Sequence, residues 1–64
     1  MTRITVILTE LAAVNYGYFP ETSFSGLYLG MPDRLTVELL NRDYGQMEIS
    51  RGDIERIEIL NHKY

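Results

Sequence analysis

Cysteine and tryptophan are absent, histidine occurs once and proline twice. No apolar run approaches the roughly 20 residues that a membrane-crossing helix requires. Without cysteine there can be no disulfide and no thiolate zinc site, which suits a reducing, cytoplasmic setting. The single histidine, His62, falls in residues 61–64, which are expected to fray. A Ser-His-Asp arrangement or a metal centre would therefore have to be built in a loose tail, and neither a catalytic residue, a metal site nor a cofactor is expected. Carboxylate pairs such as Glu38 with Glu48 could share a face, but nothing foretells a cleft around them.

Strong charge of either sign is missing too. Nine acidic and six basic residues leave a net charge of −3. That is the wrong sign for a bulk nucleic-acid binder and too weak for a mimic of DNA. The opening residues are apolar but begin to alternate straight after Arg3, with no small-residue cleavage site of the signal-peptide kind. The chain is expected to be soluble, unprocessed and free of the membrane.

What remains is a chain of 64 residues rich in alternating patterns. This length gives one domain, residues 1–64, with a thin core. Such domains bury only about 60% of their unfolded surface and often gain support from a partner subunit.

Residues 35–60 carry the clearest signal. Leu35, Val37 and Leu39 alternate with Thr36, Glu38 and Leu40, as a half-buried strand does. Met47 and Ile49 alternate in the same way. A three-residue loop Asp43-Tyr44-Gly45 sets Leu39 against Ile49 and Leu40 against Glu48, and gives Gly45 the positive φ of a type I turn with a G1 bulge. Ser50 and Asp53 have the spacing of a capping box, enough for one short helical turn. Ile54 would dock that turn, and Ile57 and Ile59 would resume the inward alternation.

Earlier in the chain, Ile4, Val6 and Leu8 face inward, with Arg3, Thr5, Ile7 and Thr9 outward. Residues 10–15 fit a short helix capped by Thr9 or a bent strand, and the shortness of the segment favours extended structure. Gly17, Pro20 and Gly26, with Thr22, Ser23 and Ser25, mark residues 16–26 as a loop. Leu27, Leu29 and Met31 then share one face with Tyr28 on the other, and Pro32-Asp33 starts a turn that pairs Met31 with Leu35.

The fold class expected is all-β: about five short strands in a small antiparallel barrel, with one helical turn before the last strand. Over residues 26–60 the order of long loop, meander, 3₁₀-like turn and final strand resembles the SH3-like barrels, and more loosely the Sm-like ones. Sm-like folds usually open with an N-terminal helix, for which there is no counterpart here.

The resemblance to SH3-like barrels implies a peptide-binding groove lined by aromatics. Tyr16, Tyr18, Phe19 and Tyr28, with Glu21, are the candidate protein-binding residues. The competing reading is packing, above all for Phe19 and Phe24 as plugs of the barrel ends. Ile7, Leu40 and Leu60 on the outer face are a candidate interface for a homo-oligomer. Arg42, Tyr44 and Arg51 are a candidate nucleic-acid contact, although neighbouring acids favour local pairing. The function expected is a non-catalytic protein-binding module, an inhibitor or accessory subunit of a larger protein. An Sm-like RNA-binding or ring-forming protein, or a structural subunit, is the alternative. Alanine at Tyr16 and Tyr18 is then expected to spare stability and abolish partner capture.

Overall fold

The computed structural model describes residues 2–60; the expected frayed tail with His62 lies outside the described residues. In chain order the elements are β1 (Arg3–Leu8), α1 (Glu10–Tyr16), β2 (Ser23–Asp33), β3 (Thr36–Asn41), β4 (Gly45–Ser50), a 3₁₀ turn (Arg51–Asp53) and β5 (Ile54–Ile59). The strands form one antiparallel sheet in the order β4-β3-β2-β1-β5. The protein is mainly β, as expected. Its sheet is open: β4 and β5 are the two edges and do not pair with each other among the described residues.

The core lies on one face of this sheet. Ile4, Val6 and Leu8 of β1, Phe24 of β2, Val37 and Leu39 of β3, and Met47 and Ile49 of β4 are all buried. Burying each large apolar side chain contributes about 1.5–3 kcal/mol before conformational entropy is charged against it. Ile54 packs against this cluster from the start of β5, as its position after the 3₁₀ turn suggested. The turn itself forms, but Ser50 makes no side-chain capping bond.

Residues 10–16 are helical rather than extended. The Thr9 hydroxyl accepts from the Ala12 amide at 3.1 Å, and Gly17 closes the other end with its own amide bonded to Ala13 and Val14 carbonyls. Ala12 and Ala13 join the core. Caps at both ends and a buried alanine pair outweigh the nucleation cost of so short a helix.

The loop is also shorter than expected, because β2 starts at Ser23 and carries Phe24 into the core. At Leu27 and Tyr28 its facing is the reverse of the sequence expectation, whereas Met31, beyond the irregularity, keeps the inner side. Tyr28 pairs with Leu39 on the inner side, and Leu27 pairs with Leu40 on the outer. The alternation of residues 27–31 is broken by an irregularity between Tyr28 and Gly30, which resets the register, and a period-2 reading cannot see that. The strand runs on through Pro32, past the point where its pairing with β1 ends at Leu27. The turn therefore falls at Arg34-Leu35, with Asp33 opposite Thr36. The Asp33 carboxylate accepts from the Leu35 amide at 2.8 Å, and Leu35 is exposed rather than inward.

In the β3–β4 hairpin Asn41 pairs with Gly45, so Leu39 faces Met47 and Leu40 faces Gln46. The loop is Arg42-Asp43-Tyr44, one residue earlier than expected. The Asn41 side chain decides this: its Oδ1 accepts from the amides of Asp43 and Tyr44 at 2.8 and 2.9 Å. Gly45 has the expected positive φ of 74°. Because the ladder slips by two residues, each side chain keeps its expected face.

Candidate interaction surface

Helix α1 presents two kinds of side chain. Ala12 and Ala13 turn inward, whereas Leu11 and Val14, three residues apart and so on one face, are 71% and 52% exposed. Just beyond the Gly17 cap the chain folds back, and the amides of Tyr18 and Phe19 both bond to the Ala13 carbonyl, at 2.8 and 3.1 Å. Phe19 is 51% exposed beside this helix end and precedes Pro20 through a cis peptide. Leu11 and Val14 carry no alternating signature that marks them as surface. Their signal was the apolar pair left over once Ala12 and Ala13 are assigned to the core, visible only if the segment is read as helix.

The residues around this turn also join an aromatic cluster. The Tyr18 ring lies 4.7 Å from that of Phe24, 4.9 Å from Tyr44 and 6.0 Å from Tyr16. Phe24 is fully buried and Tyr18 half-buried, so these two are packing residues. The Tyr44 hydroxyl donates to Glu21 Oε1 at 3.0 Å, and the Tyr16 hydroxyl to Asp53 Oδ2 at 2.7 Å. These bonds tie the segment around α1 to the β3–β4 turn on one side and to the 3₁₀ turn on the other. Burial first, then the bond to Asp53, raises the Tyr16 phenol above its ordinary pKa. For Tyr44 the bond to the Glu21 carboxylate is the leading cause of a shift in the same direction.

The structure thus gathers Tyr16, Tyr18 and Glu21, with Phe19 in the turn between them. Tyr28 is elsewhere. It lies four residues beyond Phe24 on β2, roughly 13 Å along the strand, and lines a groove with Ile4, Met31 and Ile57. Ile7, Leu40 and Leu60 are dispersed over the outer face. Leu40 pairs with Leu27, Leu27 with Arg3, and Arg3 accepts from the Leu60 amide, so two strands separate Leu40 from Leu60. Arg42 and Tyr44 share a turn, while Arg51 lies at the opposite end of β4, about 20 Å away. Arg51 instead lines a shallow recess with Asp33, Arg34 and Leu35.

Glu38 and Glu48 are direct cross-strand partners on the outer face. Their mutual hydrogen bond, then their repulsion, raises the pKa of Glu48. No third carboxylate or imidazole joins them: among the described residues there is no cluster of three or more groups able to hold a metal. Nor is any described helix long and apolar enough to cross a membrane.

Comparison of the chain with protein-family models, with curated proteins and with solved structures found no match.

Proposed function

We propose that this chain is a non-catalytic protein-binding module of SH3-like design, acting as an accessory subunit or inhibitor of a larger protein. The SH3-like part of this reading draws support from the strand order, a meander β1 to β4 followed by a 3₁₀ turn and a strand returning to β1. The binding part is carried by one observation: Leu11 and Val14 on one face of α1, and Phe19 in the turn that follows the helix, are each more than half exposed. A small domain short of core gains nothing from leaving such side chains in water, and apolar surface with aromatics at its centre is what interface cores use. Glu10 and Glu21, both exposed, flank this segment in sequence. The matching partner would present an apolar centre bordered by basic side chains.

The nucleic-acid reading has less behind it. Its three residues are split between the two ends of β4, and the Tyr44 ring is already engaged with Tyr18 and Phe24.

The test is site-specific photocrosslinking in extract of the cells that make the protein, with the reactive group at Val14 or, for comparison, at the similarly exposed Leu40. One discrete adduct from Val14 alone is expected. The captured protein, once purified, should bind the wild-type chain and lose at least tenfold in affinity to the Leu11→Glu variant. Equal adducts from both positions, or an affinity indifferent to Leu11→Glu, would remove the basis of the proposal.

A further inference from the structure

A second surface, independent of the helix, lies along β5. Ile57 and Ile59 stand opposite Val6 and Ile4 on the inner face of the sheet. Those β1 partners are 0% and 3% exposed, yet Ile57 and Ile59 are 43% and 70% exposed. The other edge strand differs, since Met47 and Ile49 of β4 are buried. Among the described residues the bare apolar edge is therefore β5 alone, and a groove of about 260 Å³ runs beside it, bordered by Tyr28 and Met31.

The backbone direction of this edge can be read from one bond. The Leu60 amide donates to the Arg3 carbonyl at 2.8 Å, towards β1. Amides alternate sides along a strand, so Glu58 and Arg56 also turn towards β1, and Ile57 and Ile59 offer their N–H and C=O groups to the free edge.

We propose that a second copy of this chain pairs antiparallel along β5, on a two-fold axis passing between the two Ile57 residues. The ladder then joins two sheets into one of ten strands and covers both exposed isoleucine rows. The argument for this occupant is self-complementarity. Centred on Ile57, the two Ile57 residues exchange both backbone bonds, and Arg56 of each chain stands opposite Glu58 of the other. Within one chain these two side chains already pair, Arg56 Nε to Glu58 Oε2 at 3.0 Å, both exposed on the outer face. Centring the axis on Arg56 or Glu58 would set like charges against each other and face the wrong amides. Centring it on Ile59 would set Glu58 against Leu60. A marginal domain of this length also has the most to gain from a subunit that seals an unpaired, apolar strand edge.

The test is light scattering on the purified full chain over a wide concentration range up to millimolar, with circular dichroism to follow the fold. The wild type should reach twice its 7.4 kDa mass. Arg56→Glu and Glu58→Arg each place like charges on both sides of Ile57, so each alone should stay at the mass of one chain. Mixed in equal amounts they restore opposite signs at every position, and the doubled mass should return. The double variant Arg56→Glu/Glu58→Arg should dimerise by itself, which separates loss of pairing from loss of folding. A wild type that stays at one chain throughout would overturn the proposal and leave the edge to a foreign strand. So would a dimer indifferent to both reversals, a dimer lost on Leu40→Glu instead, or an assembly larger than two chains.

Discussion

The Tyr16 hydroxyl donates to the Asp53 carboxylate across 37 residues of chain, holding the end of α1 against the turn that launches β5. Replacing Tyr16 by Phe removes this bond and keeps the ring. The bond is exposed, so the cost should be about 0.5–1 kcal/mol, read as a fall in melting temperature of a few degrees. The pH dependence has a definite sign. The folded pKa of Tyr16 is raised above the unfolded value of 10.0, so the stability it contributes is fully present below pH 10.0 and is lost as pH rises through the folded value. The gap between wild type and Tyr16→Phe in thermal melts should therefore close under alkaline conditions.

Tyr18 should behave differently from Tyr16. Its ring is half-buried between Phe24 and Tyr44. Tyr18→Ala should cost about 2 kcal/mol in urea denaturation, through lost packing and lost ring contacts. A variant with unchanged stability would show that the stack carries no packing energy.

Of the glycines, Gly26 is the one where β2 leaves no room for a side chain. A Cβ there would run into the Leu40 carbonyl oxygen and lie 2.8 Å from its carbon, both backbone atoms that cannot move without parting β2 from β3. Gly26→Ala should cost on the order of 3 kcal/mol, a loss of roughly 12 °C or more in melting temperature. Gly52→Ala is the control. Its nearest neighbour is the Ser50 hydroxyl at 4.0 Å, and its melting temperature should hardly change.

Glu48 faces Glu38 directly, and its folded pKa is raised above 4.5. The pair is therefore least harmful below pH 4.5 and becomes a liability as pH rises through the folded value of Glu48. Glu48→Lys should raise the melting temperature at neutral pH by turning repulsion into attraction. In acid, where the Glu48 carboxyl of the wild type is protonated, that advantage should disappear.

Local alternation dictates facing in this chain only where a strand is regular. Ile4, Val6 and Leu8 were placed on the inner face by period alone, and so were Val37, Leu39, Met47 and Ile49. These strands are regular, so sequence separation translates directly into facing. β2 is irregular, and the shift between Tyr28 and Gly30 inverted the faces expected for Leu27 and Tyr28. The candidate surface was half legible. Tyr16, Tyr18, Phe19 and Glu21 do lie together, but Leu11 and Val14 were hidden by taking residues 10–15 as extended. Tyr44 entered the cluster from a turn far away in sequence, a juxtaposition no local pattern encodes.

Sequence by itself determined the strand-rich class, the inner faces of β1, β3 and β4, the glycine at the hairpin bend and the helical turn before β5. Each rests on local chemistry, namely alternation, a residue able to hold positive φ, or a short run that stops a strand. Tertiary structure decided whether α1 formed, how β2 was registered, and which edge was left bare. Those outcomes depend on partners distant along the chain: a core that accepts Ala12 and Ala13, a Leu40 carbonyl that tolerates only glycine at position 26, and a β1 that covers one side of Ile57 and Ile59 while nothing in the chain among the described residues covers the other.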